Sequence, residues 1–181
     1  MADILIAGAA ASAVVGRAME LVKKLKSDAP KSYVPPSEGT RSSNESIIPF
    51  AMVRGTRGYI EKVANQINGG YEKGWFDACA VMMRRLMETL IIECFEKHGI
   101  DSKIKNDKGD FFYLRDLIDK ALQEPAWNLG RNVKQALPRL KDIGDKSAHS
   151  RRYNAHREDI DKVSTDFRDA CQELLVLAGL K

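Results

Sequence analysis

Residues 74–97 read GWFDACAVMMRRLMETLIIECFEK, and their spacing decides the fold class. Trp75, Cys79, Met82, Leu86, Leu90 and Cys94 recur at steps of three or four, the period of one helix face. Ala78, Met83, Ile91 and Phe95 widen that stripe. A helix this apolar belongs at the centre of a bundle, where several neighbours cover it. His98-Gly99 supplies its end, with glycine free to take the left-handed conformation past the last turn.

Outward from this helix the same period recurs. Ile60, Val63, Ala64 and Ile67 predict a helix over 57–67, with Gly69-Gly70 at its end or a kinked continuation through Tyr71-Glu72-Lys73-Gly74. Phe112, Leu114, Leu117, Ile118 and Ala121 predict one over 111–122, stopped by Pro125. Val133, Leu137, Leu140 and Ile143 predict one over 129–143, kinked or restarted at Pro138 and ended by Gly144. Ile160, Val163, Phe167, Ala170 or Cys171, Leu174 and Leu177 predict a last helix over 157–178. Residues 100–110 are polar and turn-rich, and predict an exposed loop. The run IIPFAMV (47–53) carries Pro49 and reads as an extended lead-in. No alternating strand of convincing length and no internal repeat is present. The expected fold class is all-α: an antiparallel bundle of four to five helices, residues 47–181, with an extra N-terminal helix.

That extra helix is expected over residues 1–26. Its first half is small and apolar, IAGAAASAVV at its heart, and its end is basic, with Lys23, Lys24 and Lys26. The apolar run is short of the roughly 20 residues a membrane span needs. Asp3 stands where a secretory leader would carry positive charge. The helix could pack on the body, pair with a second copy or rest on a membrane surface. Residues 27–46, rich in proline and serine, predict a linker.

Composition bounds the function. The chain has 181 residues, 44% hydrophobic and 30% charged, enough for one domain with a core. A net charge of +4 permits contact with a polyanion without demanding it. Cys79, Cys94 and Cys171 sit in apolar helical patterns without a C-x-x-C pair, which predicts buried thiols in a reducing cytoplasm rather than disulfides or a zinc site. No phosphate-binding glycine loop, serine elbow or His-Glu-x-x-His metal motif is present, so neither a cofactor nor a metal is expected.

Two constellations remain. In 144–156, GDKSAHSRRYNAH, His149 and His156 accompany Lys146, Arg151 and Arg152 between two predicted helices. Histidine moves protons near neutral pH and arginine stabilises charge developing on phosphorus, the chemistry of metal-independent RNA cleavage. The plainer reading is a solvated basic helix start. The second constellation is Arg84, Arg85 and Glu88. Arg84 and Glu88 are four apart, which suits an ion pair that orients neighbouring helices.

Three stretches together resemble a known family: YEKGWFDACAVMMRRLMETLI (71–91), FFYLRDLIDKAL (111–122) and LPRLKDIGDKSAH (137–149), followed by a long amphipathic helix. They are similar to the HEPN-like helical domains (higher eukaryote and prokaryote nucleotide-binding), specifically the domain of unknown function often appended to restriction-endonuclease subunits. The likeness spans roughly residues 56–178. Arg84 or Arg85, Glu88, Gly144, Asp145 and His149 occupy the family's places, with Asp145 where the family pattern has Asn. The resemblance implies an all-α bundle, often a homodimer, in a bacterial or phage setting tied to defence or RNA processing. Catalytic members carry Arg, four to six residues, then His. Here the positions ahead of His149 hold Gly144, Ile143 and Asp142, while a shifted match runs from Arg151 to His156.

The first expectation is therefore a non-catalytic module that forms a homodimer and binds a protein or nucleic-acid partner. Lys146, Arg84, Arg85, Glu88 and Asp145 would be its binding residues. The alternative is an endoribonuclease with His149 or His156 as acid/base and Arg151 or Arg152 on the scissile phosphate. A third possibility is that the basic patch binds RNA or other nucleic acid without cutting it.

Overall fold

The computed structural model describes Arg17, Met19, Glu20 and residues 46–181. The expected N-terminal helix and nearly all of the expected linker lie outside the described residues. Residues 46–181 form an all-α bundle of six α-helices: α1 (Phe50–Val53), α2 (Gly58–Glu72), α3 (Phe76–Lys97), α4 (Leu114–Gln123), α5 (Arg131–His149) and α6 (Arg157–Leu177). A 3-10 turn, Asp101–Ile104, follows α3.

The α3 helix is the hub, packed against α2, α4, α5 and α6. Met83, Leu86, Met87, Leu90, Ile91 and Phe95 are fully buried along it. Burying each such side chain stabilises the fold by about 1.5–3 kcal/mol relative to leaving it exposed. The expected positions Cys79, Met83, Leu86, Leu90, Ile91, Cys94 and Phe95 are buried, and the departures lie toward the start of the helix. Trp75 lies just before the helix and is 59% exposed, Ala78 is exposed and Met82 half-buried. Ala80 and Met87 are buried instead, because helices on several sides of α3 move its covered face toward them.

At Gly69-Gly70 the helix takes the continuation through Tyr71, whereas the stop expected at Gly144 is corrected. Gly69 and Gly70 lie inside α2, which ends only at Glu72. Gly70 is buried where a β-carbon would stand 3.3 Å from the Cys79 backbone nitrogen, so it lets α2 and α3 approach at their turn. The left-handed residue after the helix is Gly74, at φ +74°. Likewise α5 runs past Gly144 to His149. Local propensity marks glycine as a stop, but helix–helix packing overrides it at both sites.

The lead-in also differs from expectation. Pro49 precedes a short helix, α1, and residues 46–48 are buried. The Asn68 side-chain amide holds this segment, accepting from the Ile48 N–H (3.0 Å) and donating to the Ile48 carbonyl (2.8 Å). Arg168 on α6 donates to the carbonyls of Ile47 (2.8 Å) and Ser46 (2.9 Å). The Asn68 and Arg168 side chains thus satisfy buried backbone groups that lack a helical partner. The 100–110 segment is only partly an exposed loop, since Ile104 is fully buried and the Phe112 N–H donates to its carbonyl (2.9 Å). Phe111 pairs with Lys105 in an isolated bridge, so α4 begins at Leu114 rather than at Phe111.

Cys79, Cys94 and Cys171 are buried free thiols. Burial pushes the thiols of Cys79 and Cys94 up to about 12, which keeps them protonated and poor nucleophiles. Among the described residues, no helix is long and apolar enough to cross a membrane.

Candidate functional site

Two of the helices that cross at the hub bring one set of expected residues together. Gly144 on α5 backs onto Arg84 on α3, and a β-carbon there would stand 2.6 Å from Arg84 Cβ and 3.1 Å from the Ala80 carbonyl oxygen. The bare glycine backbone lets Arg84 fold across it to Asp145. The Arg84 Nε–H donates to Asp145 Oδ1 (2.7 Å), while Nη1 lies 3.5 Å from Glu88 Oε2. Lys141 Nζ reaches the other carboxylate oxygen of Asp145, at 2.5 Å.

Asp145 is thus clamped by two cations. Partial burial alone would raise its carboxyl, but the bonds from Lys141 and Arg84 outweigh that and hold it below the usual range. The cluster Arg84–Glu88–Lys141–Asp145 is an electrostatic tie between α3 and α5. Arg85 does not join it: it is exposed and forms no ion pair among the described residues.

The basic segment expected between two helices divides in two. Residues 144–149 complete α5, so Lys146 and His149 occupy its last turn, where cations complement the helix dipole. Residues 150–156 form the turn into α6. It is a built turn. Ser150 Oγ accepts the Tyr153 N–H (3.2 Å), and Asp77 at the start of α3 accepts the Ala155 N–H (2.9 Å). Asp159 in the first turn of α6 accepts the His156 backbone N–H (3.0 Å) and the Tyr153 hydroxyl (3.2 Å). The bond from His156 is the main reason that the Asp159 carboxyl sits below its ordinary range. His156 therefore starts α6, in a capping box with Asp159, and is exposed.

Lys146, His149, Arg151 and Arg152 are all exposed, and none of the four lies within ion-pair distance of a carboxylate among the described residues. Lys146 and His149 end α5, and Arg151 and Arg152 lie on the following turn, whose backbone is tied to Ser150 and Asp77. Beside it, α5 and α6 enclose a shallow groove of about 330 Å³. It is lined by Arg139, Ile143, Lys146, Tyr153, Lys162 and Val163, with Asp142 and Asp159 also on its walls.

The structure unites Arg84, Glu88 and Asp145 in one cluster, and gathers Lys146, His149, Arg151, Arg152 and His156 along one helix–turn–helix edge. Four residues that build these features escape the sequence reading: Asp77, Lys141, Asp159 and Lys162. Asp159 has a local signal, an acid three residues into a helix. Lys141 has one too, four residues before Asp145. Asp77 and Lys162 acquire their places only when the helices pack.

No protein-family model, no curated protein and no solved structure matches this chain.

Proposed function

We propose that the chain is a non-catalytic HEPN-like helical module that binds nucleic acid through its 146–152 edge. The carrying observation is the set of exposed cations without an ion-pair partner among the described residues, Lys146 at the end of α5 with His149 beside it, and Arg151 and Arg152 on the tied turn that follows. A fixed row of uncompensated charge gains by replacing the counterions along a phosphate backbone. Binding rather than cleavage is favoured by the residues ahead of His149. Gly144 offers no side chain, Ile143 faces the core and Asp142 is an acid. Of the two arginines that could hold the family's helical position, Arg84 is engaged by Asp145 and Glu88, while Arg85 is exposed. Homodimer formation is part of the same reading, on the strength of the family resemblance and the apolar N-terminal stretch, and a sedimentation profile of a single monomeric species would remove it.

Fluorescence anisotropy with a labelled RNA, measured across a salt series, tests the binding. The wild-type affinity should fall steeply with salt. Arg151→Gln/Arg152→Gln should weaken binding and flatten the logarithmic salt slope by about two, one for each phosphate no longer neutralised. An unchanged slope would remove this edge as the interface. The same RNA incubated in chelator provides the second arm. Wild type and His149→Ala/His156→Ala should both leave it intact. Cutting that the double variant abolishes would establish the ribonuclease alternative instead.

A further inference from the structure

The basic turn shares its end of the bundle with the connection between α2 and α3, because Asp77, in the first turn of α3, accepts the Ala155 N–H. Just ahead of Asp77 stands Trp75, 59% exposed. Its backbone is fixed on both sides: the Trp75 N–H donates to the Gly70 carbonyl (2.8 Å), and the Trp75 carbonyl accepts the Cys79 N–H (2.9 Å). A ring carried on a fixed backbone has less freedom to lose when a ligand covers it. The aromatic rings beside it are already covered. Tyr71 is buried and Phe76 half-buried, and the Arg157 guanidinium lies over both, 4.5 Å and 5.6 Å from their ring centroids. The indole of Trp75 is left open.

What covers it differs from what the turn attracts. Exposed acids stand at this end too, Glu72 closing α2 and Glu158 in the first turn of α6. A phosphate gains little beside them, whereas an uncharged, flat base face suits an indole. Stacking geometry then selects the kind of base. Inside a duplex both faces of a base are occupied, and bringing one to the indole means unpairing and unstacking it. A single ring repays only one of the two faces lost. A terminal base pair has one face open to water, so it stacks on the indole without giving anything up.

We propose that Trp75 stacks on the terminal base pair of a duplex whose phosphates lie along the 146–152 edge, and so makes the module selective for nucleic-acid ends. The inference rests on the nucleic-acid reading of that edge and assigns it a substrate form. Trp75 separates the two, because it carries no charge and lies outside the turn.

The experiment compares a labelled blunt RNA duplex with the same duplex closed across both ends by covalent linkers that carry no base. The proteins are wild type, Trp75→Leu, which keeps apolar bulk without the indole, and Arg151→Gln/Arg152→Gln. Wild type should bind the blunt duplex roughly fivefold or more tightly than the closed one, the size of one base–aromatic stack. Trp75→Leu should lose that preference and bind the closed duplex as wild type does. Arg151→Gln/Arg152→Gln should weaken both forms alike. Indole emission adds a direct readout: the part that Trp75→Leu removes should be quenched by the blunt duplex and not by the closed one. Equal wild-type affinity for the two forms overturns the inference. So does a Trp75→Leu protein that keeps the preference, or one that loses both forms equally. If the arginine variant is weakened in any of these cases, the binding edge stands and only the role of Trp75 falls. Wild type that binds neither form removes both. Trp75 is exposed, so the variant is expected to fold, and an unchanged thermal melt checks this.

Discussion

Gly144 shows how much a single residue can hold in place. Its missing side chain is where Arg84 passes on its way to Asp145, and the contact is with the stem of Arg84 and an α3 carbonyl rather than with a mobile tip. Gly144→Ala gains about 1 kcal/mol of helix propensity. It also inserts a methyl at 2.6 Å from Arg84 Cβ, an overpacking cost of about 1–3 kcal/mol that the backbone of two helices must absorb. The expected net result is destabilisation by about 1 kcal/mol, read as a lower urea midpoint. An alanine variant more stable than wild type would mean that the α3–α5 crossing is looser than the structure shows.

At the scale of the element, α5 carries a strain that its position makes easy to relieve. Pro138 lies inside the helix and is exposed. It lacks the N–H that would bond to the carbonyl of Lys134, and its ring crowds that carbonyl. Since the exposed ring packs against little, Pro138→Ala should stabilise the protein by about 1–3 kcal/mol, seen as a raised Tm. A lower Tm would mean that the ring makes a contact worth more than the missing hydrogen bond. The existence and order of α2 to α6 were legible because each has a stripe spaced for one buried face. Their ends were less legible. Gly69, Gly70 and Gly144 carry the local signature of a stop, yet the helices run through them, and Gly70 and Gly144 are points of close approach, a distinction that depends on what lies opposite.

Across the whole molecule, carboxylates that tie elements together make acid the natural denaturant. Asp145 joins α5 to α3 through Arg84, Asp159 anchors the turn into α6, and Glu124 bridges from the end of α4 to Lys103 at 2.9 Å. All three are held below their ordinary range. For Asp145 partial burial acts the other way and the two cations prevail. For Asp159 the chief cause is the bond from His156, and for Glu124 the bond from Lys103. A carboxyl whose folded value is depressed contributes stability that is complete above its unfolded value and is lost as pH falls through the folded one. Thermal stability should therefore hold through the neutral range and decline below the ordinary carboxylate range. Asp145→Asn should flatten that decline, and an Asn variant with an unchanged acid profile would show that this clamp contributes nothing to it.

The amino-acid sequence by itself determined the all-α class, the burial of the three cysteines, the Arg84–Glu88 pairing and the basic character of residues 146–152. Each follows from short-range spacing, which the helical period converts directly into faces and neighbours. Tertiary structure alone decided that Gly144 is a crossing point, that His149 ends a helix while His156 begins one, and that Lys162 faces Lys146 across a groove. These depend on residues far apart in the chain, such as Arg84 with Asp145 and Asp77 with Ala155, meeting once the buried stripes are covered. No local period encodes that meeting, because it is set by which helix packs on which and how closely their backbones can approach.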